Sequence, residues 1–318
     1  MVSGDPTFNV STVHACSTRA EDFWSVGRGW PSVCPFHEGS LWFGGSTFRP
    51  QSIWGSLVND FFNFNVLEGR DDESISATLD TSQVNAIQGM ISNKNLQIFT
   101  SGGEFYVAES PITPSNVAVK AQTNLGSLRI QPVSLDGVTF FAQRTGNAIH
   151  QFVFLNDLQA HENQKISVIA PHLIKVPIEL KVAAGSETTD ANYLFILNSD
   201  GTVTVYNSQI SQEVSGFSRW ETDGEIKSIA TVDRQLHTLT FRSNNYCIER
   251  EITSTNTDCH LVQTGINSDT ITGLSHLEAK TVDVLADGAY FGQFKVAGNQ
   301  VVLPRVVQDV EVGLPYQA

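Results

Sequence analysis

Tyr193-Leu-Phe-Ile-Leu-Asn-Ser-Asp-Gly-Thr-Val-Thr-Val-Tyr206 decides the fold class. An apolar run reaches a Ser-Asp-Gly corner, and the chain resumes with the two-residue alternation of a strand. An Asp-Gly pair between two such runs is the sequence form of a tight β-hairpin, because the glycine takes the positive φ that the corner demands. Four other stretches repeat the design: Leu41-Trp-Phe-Gly-Gly-Ser running on to Gln51-Ser-Ile-Trp54, Leu96 to Val107, Val138 to Val153, and Leu236 to Glu249. The five copies start at 41, 96, 138, 193 and 236, a mean spacing of about 49 residues, which is the size of one blade of a β-propeller.

Strand-like runs such as Gln83–Gln88 and Gly224–Val232 precede the second and fifth hairpins and supply further strands for each unit. The expectation is an all-β chain: residues 1–29 an N-terminal arm or blade-closing segment, 30–255 a β-propeller of five or six blades, and 256–318 a small C-terminal β module. Hairpins stacked in a sandwich fit the same alternation and remain the competing architecture. In the module the period stops. Ala297-Gly-Asn-Gln300 reads as a hairpin turn, the whole as three or four strands, and some sixty residues need a neighbour to pack against.

Composition narrows the function classes. The 318 residues carry 19 Lys and Arg against 33 Asp and Glu, a formal charge of −14, which opposes a surface built to hold nucleic-acid phosphates or anionic lipid. Apolar runs are too short to span a bilayer, and Met1-Val-Ser-Gly-Asp-Pro-Thr7 has neither the basic nor the apolar region of a secretory signal, so production in a cytoplasm is expected. Without a signal, the sequon Asn9-Val-Ser11 has no route to glycosylation. Cys16, Cys34, Cys247 and Cys259 lack zinc-ligand spacing and read as reduced, mostly buried thiols.

Motifs for chemistry are sparse. The eight histidines form no His-Glu-x-x-His or His-x-His pair, no Gly-x-Ser-x-Gly elbow occurs, and Gly44-Gly45, Gly102-Gly103 and Asp200-Gly201 read as strand corners rather than phosphate loops. The acidic run Glu68-Gly-Arg-Asp-Asp-Glu73 reads as a solvated loop, with Asp71, Asp72 and Glu73 the carboxylates a glycan-degrading alternative would use. Trp42, Phe43, Trp54, Phe61 and Phe64 read as core, with carbohydrate stacking the functional alternative. No catalytic residue, cofactor or metal is expected.

Arg28-Gly-Trp-Pro31, Leu41-Trp-Phe-Gly-Gly45, Pro50-Gln-Ser-Ile-Trp-Gly-Ser56 and Asp60-Phe-Phe-Asn-Phe64 form an ordered series. Asp80–Ile87, Leu96–Glu104, Ile169–Ile174, Ile271–Lys280 and Val312–Tyr316 continue it. The series resembles the tail-tube and nozzle-type structural proteins of short-tailed bacteriophages and prophages. That resemblance covers most of residues 28–316 and singles out Arg28, Gly29, Trp30, Pro31, Trp42, Phe43, Gly44, Gly45, Pro50, Gln51, Trp54, Asp60, Phe61 and Phe64 as structural motif positions. It implies a non-enzymatic virion protein at the tail tip, assembled in the host cytoplasm with other tail proteins. The implied assembly is a homo-oligomeric ring through which DNA passes without specific binding and without membrane insertion. The acidic balance suits such a channel, since Lys and Arg would retain phosphates.

Overall fold

The computed structural model describes residues 24–66, 70–81, 84–157, 160–185, 191–209, 214–242, 244–252 and 254–315. Most of the expected N-terminal arm, with Cys16, His14 and the Asn9 sequon, lies outside the described residues, as do Glu68 and Gly69 of the acidic run, Gln83 and Tyr316.

Five antiparallel meanders follow one another along the chain, each pairing its strands in sequence order. Sheet 1 holds β1 (Phe36–His37), β2 (Ser40–Gly44), β3 (Ser52–Gly55) and β4 (Ile75–Thr78). Sheet 2 holds β5 (Ile87–Ser92), β6 (Leu96–Thr100), β7 (Glu104–Val107) and β8 (Val119–Thr123). Sheet 3 holds β9 (Val133–Leu135), β10 (Val138–Ala142), β11 (Ile149–Leu155) and β12 (Ala160–Lys165). Sheet 4 holds β13 (Pro177–Ala183), β14 (Asn192–Asn198), β15 (Val203–Gln209) and β16 (Val214–Trp220). Sheet 5 has three strands, β17 (Glu225–Val232), β18 (Gln235–Arg242) and β19 (Asn245–Arg250). The five hairpins read from the sequence are the second and third strands of their sheets.

The sheets pack face to face in order, and this explains the apolar runs. Leu194, Ile196 and Tyr206 on one face of sheet 4 join Val138, Phe140 and Ile149 of sheet 3. Phe195, Leu197, Val203 and Val205 on its other face join Ile226, Ile229 and Leu236 of sheet 5. A strand buried on both faces needs apolar residues at every position, so Tyr193–Leu197 loses the alternation of a half-exposed strand. Trp42, Ile53 and Ile75 likewise meet Met90, Leu96 and Ile98 between sheets 1 and 2, and Phe99 meets Phe141 and Phe152 between sheets 2 and 3.

One main-chain hydrogen bond recurs at all four junctions. Near the corner between the second and third strands of each sheet, a carbonyl accepts the N–H at the entry to the next sheet. Pro50 O accepts Ile87 N–H (2.9 Å), Thr100 O accepts Ser127 N–H (2.8 Å), Gly146 O accepts Val176 N–H (2.8 Å) and Gly201 O accepts Ile226 N–H (3.2 Å).

The glycine corners have two different causes. Gly45 and Gly201 take positive φ, +61° and +78°, as corners require. Gly44 and Gly103 do not: a Cβ on Gly44 would strike the Met90 side chain and sit 2.8 Å from Val33 Cγ2, and one on Gly103 would sit 2.5 Å from Thr123 O. Close approach selects glycine at those two positions, where the sequence suggested backbone conformation.

The C-terminal module departs from the three or four strands expected. It has six: β20 (Asp258–Gln263), β21 (Ser268–Thr272), β22 (Thr281–Ala286), β23 (Ala289–Lys295), β24 (Gln300–Val307) and β25 (Val310–Leu314). They form a four-stranded sheet β20-β25-β22-β23 and a two-stranded ribbon β21-β24 around Ile271, Leu277, Val284, Val301 and Val312. The 297–300 corner exists, with Gly298 and Asn299 at positive φ, but the flanking strands diverge into separate sheets. The Glu278 carboxylate holds the corner by accepting the N–H groups of Gly298 (3.0 Å) and Asn299 (2.7 Å), while β24 is drawn to β21. The module is tied to the meanders at the passage from sheet 4 to sheet 5: Lys280 pairs with Asp223 (2.8 Å), and Thr222 Oγ1 donates to Asp258 Oδ2 (2.6 Å).

Candidate interaction surface

The structure gathers the motif positions into sheet 1 and the loops around it. Trp42 is buried against sheet 2. Trp54 faces the other way, where the rings of Trp24, Phe43 and Phe64 close over it; Trp24 meets the three others edge-on at centroid distances of 5.1 to 5.5 Å. Phe43 and Phe64 are half-buried, at 5.3 Å from one another. Gly29 (φ +81°) packs its bare Cα against Thr47, and the Arg28 carbonyl accepts the Phe48 N–H (3.1 Å), binding the 28–31 loop to the corner that follows Gly45. Pro50 and Gln51 carry carbonyls that accept Ile87 and Leu79 N–H. Asp60 turns the loop, its N–H on Leu57 O and its carbonyl on Asn63 N–H, both 3.1 Å.

Phe61 corrects the core reading. It is 36% exposed and stacks edge-on to Phe36 at 5.1 Å, outside the sheet. With Trp30 at 63%, Phe48 at 71% and Phe62 at 86% exposure, it makes the loops of sheet 1 rich in solvent-facing aromatics. Exposure of Trp30, Phe48 and Phe62 was not legible in the sequence, because the signals for core and for contact are the same residue types.

Apart from His37 on β1, groups with perturbed protonation lie elsewhere, and most are buried between or beside sheets. His161 (β12) stacks flat on Phe152 at 4.5 Å and touches Tyr106, while Gln97 Nε2 donates to its Nε2 at 3.1 Å. Burial pushes its pKa down to about 4, with the charge of Lys94 acting in the same direction. Burial also lowers His150 and His37, whose Nδ1 atoms meet Asn163 Oδ1 (2.6 Å) and Ser92 Oγ (2.8 Å). Glu104 (β7) is fully buried, and its pKa is raised by that burial although Thr123 and Ser127 hydroxyls and the Leu125 and Gly126 N–H groups donate to it. Those donors form the passage from sheet 2 to sheet 3, so Glu104 acts as a bolt.

At sheet 5, Arg242 is nearly buried, pairs with Glu249 at 3.0 Å and contacts Cys259 Sγ. The Cys259 thiol is pushed up to about 12, by burial first and by Asp258 and Glu249 next, so it stays protonated and unreactive. The expectation of mostly buried thiols fails for the described cysteines. Cys34 is exposed and Cys247 and Cys259 are half-buried, all three free, because they sit on a loop, on an edge strand and at the module junction rather than inside a sheet stack.

Asp71 and Asp72 are exposed and Glu73 half-buried in the loop before β4, where the Asp72 carbonyl accepts the Val58 N–H (3.2 Å). Among the described residues no group of three or more His, Cys, Asp or Glu is arranged to hold a metal ion, and no helix is long and apolar enough to cross a membrane. No protein-family model matches the chain, and no curated protein matches it.

Proposed function

We propose that the five meanders are blades of one β-propeller and that the chain is a non-enzymatic structural component of a phage tail tip. In this reading it contributes to a homo-oligomeric ring around the DNA exit channel. The observation that carries the architectural half is the corner-to-entry hydrogen bond, repeated with the same topology at four successive junctions. A unit that meets its successor in one fixed way, and is buried on both faces, generates rotational repetition.

The functional half rests on the motif series and on where it falls. Those residues build sheet 1 and the aromatic-rich loops beside it, a surface chemistry that suits contact with a neighbouring subunit. A net charge of −14 suits a conduit along which DNA must slide. Averaged electron micrographs of the isolated protein test the fold, with a toroid as the expected outcome and two layered sheets the overturning one. Micrographs of virions carrying a labelled chain test the assignment, which fails if the label lies away from the tail.

The exposure of Trp30, Phe48 and Phe62 favours a second reading, recognition of host-surface glycans by ring stacking. Glycan-array binding lost on Trp30→Ala without turnover selects it. Sugar release abolished by Asp72→Asn would point instead to a degrading enzyme.

A further inference from the structure

We propose that the face of sheet 4 turned toward sheet 5 carries a binding cleft for a neutral sugar ring, built on Tyr193, Asn207, Gly216, Ser218 and Trp220. The site lies apart from the sheet 1 loops and uses sheet 4 alone, so it stands whether or not the meanders close into a ring.

The cleft follows from strand register. Cross-strand pairing sets β14, β15 and β16 in three rows on this face: Tyr193, Asn207 and Gly216, then Phe195, Val205 and Ser218, then Leu197, Val203 and Trp220. Phe195, Leu197, Val203 and Val205 are buried with Ile226, Ile229 and Leu236 of sheet 5. The outer part of the grid is not covered in that way: Tyr193, Asn207, Gly216 and Trp220 are half-buried and Ser218 is exposed. Small residues at 216 and 218 leave a dip on β16, bordered by the Trp220 ring along the strand and by Tyr193 across Asn207. Its volume is about 360 Å³, toward the lower end of the roughly 300–1,000 Å³ of small-molecule sites. The bare Cα of Gly216 keeps it open, since a Cβ there would meet nothing within 4 Å.

The lining selects the occupant. None of the residues around the cleft is charged, and the chain carries −14 overall, so an anionic ligand finds no counter-charge and is repelled. The buried Asn207 Oδ1 has no hydrogen-bond partner. An unpaired acceptor of this kind lowers stability until a donor reaches it, which makes the amide the polar anchor of the cleft. Turning the amide about its last side-chain bond brings either Oδ1 or Nδ2 to the opening, and a hydroxyl, being both donor and acceptor, satisfies both orientations. Tyr193 and Trp220 supply aromatic surface on which the C–H face of a ring can lie. A neutral ligand that combines hydroxyl groups with a flat apolar face is a sugar.

Saturation-transfer NMR on the full chain with N-acetylglucosamine, methyl α-glucoside and methyl β-galactoside tests the site. At least one of these sugars is expected to receive magnetisation at the C–H protons of one ring face, as stacking on Tyr193 and Trp220 requires. Gly216→Leu fills the opening from a position where a new side chain meets no obstruction. Binding to that variant is expected to weaken about tenfold, the loss of a stacking contact and a hydrogen bond. Asn207→Ala removes the amide without filling the cleft and is expected to give a smaller loss, which keeps the site testable if the leucine variant fails to fold. Trp30→Ala should bind as the full chain does. No transfer to any of the three sugars overturns the proposal, and so does transfer that survives undiminished in both cleft variants. Binding lost in Trp30→Ala but kept in Gly216→Leu overturns this site and assigns the sugar to the loops of sheet 1, the second reading given above.

Discussion

The junction between sheets 3 and 4 and the junction between sheets 2 and 3 share the same corner-to-entry hydrogen bond and are filled with opposite chemistry. Leu135, Val138, Phe140, Ile149, Leu180, Leu194 and Ile196 fill the first. The second has three phenylalanine rings, Phe99, Phe141 and Phe152, bordered by His150, His161, Gln97 and the buried Glu104. One backbone relation therefore accepts either filling. An aliphatic junction depends on volume and is indifferent to pH. A junction of rings and buried polar groups depends on which hydrogen bonds are made, and on which groups carry protons.

The largest effect is expected on the aliphatic side. Leu194 is completely buried, and Leu194→Ala should cost about 3 kcal/mol, within the roughly 2–5 kcal/mol that buried leucines lose through transfer and cavity terms. Denaturant unfolding at pH 5 and pH 8 should return the same loss. A pH-dependent loss would break the contrast between the junctions.

Glu104→Ala comes next, on the polar side. It leaves the Thr123 and Ser127 hydroxyls and two main-chain N–H groups facing a truncated side chain, and should cost about 2 kcal/mol through those unmade bonds. Glu104→Gln keeps an acceptor and separates charge from bonding. Because burial raises the Glu104 pKa, the folded state holds its proton more tightly than the unfolded chain does. Stability from this group is thus full below the ordinary carboxylate value and declines as pH rises through the raised one. The Gln variant should abolish that decline in a series of chemical unfolding curves above pH 4.5.

His161 has the opposite sign. Its ring is neutral in the folded state down to about pH 4, while in the unfolded chain it takes a proton near 6.5. Stability should therefore fall as pH drops from 6.5 to 4 and stay level, as far as this group is concerned, below that. His161→Phe, which keeps a flat ring against Phe152, should remove most of the slope in thermal melts across that window. An unchanged slope would assign the acid sensitivity to His150 and His37.

What the sequence disclosed tracks burial. The central hairpins announce themselves because β6, β10 and β14 are covered on both faces and must be apolar along their length, as in Val138-Thr-Phe-Phe-Ala142. The last strands of sheets 2 and 3 were invisible: Val119-Lys-Ala-Gln-Thr123 and Ala160-His-Glu-Asn-Gln-Lys165 are half in solvent, and polar residues at strand period do not differ from loop. The same blindness hid β20 and concealed Glu104 and His161, which look like surface residues until a neighbouring sheet closes over them. Around sheet 1 the motif positions all fall within residues 28–64. Their division into core (Trp42, Trp54) and surface (Trp30, Phe61) was not legible, since the division depends on the cap formed by Trp24 and Phe64.

The smallest effect brings the comparison back to the aliphatic junction, at a charged contact beside it. Lys175 Nζ lies 2.7 Å from Asp200 Oδ2 beside the entry to sheet 4, and Asp200 also accepts the Thr202 N–H (3.2 Å) and hydroxyl (2.6 Å). Slight desolvation works against its charge, yet Lys175 and Thr202 together hold its pKa down to about 2. Both charged groups are substantially in solvent, so screening leaves the pair worth well under 1 kcal/mol at physiological salt. Lys175→Ala should lower stability by a few tenths of a kcal/mol, and the deficit should vanish in 1 M NaCl. Asp200→Asn should cost somewhat more, because a salt-insensitive part belongs to the Thr202 bonds that close the Ser-Asp-Gly corner. Its acid contribution, from a carboxylate depressed in the folded state, is present above about pH 4 and fades as pH falls toward 2, below the window in which His161 acts. A melt series that separates those two windows assigns each to its own junction. A single merged transition that either substitution abolishes would mean the two junctions unfold as one unit, and the chemical contrast between them would carry no separate energetic meaning.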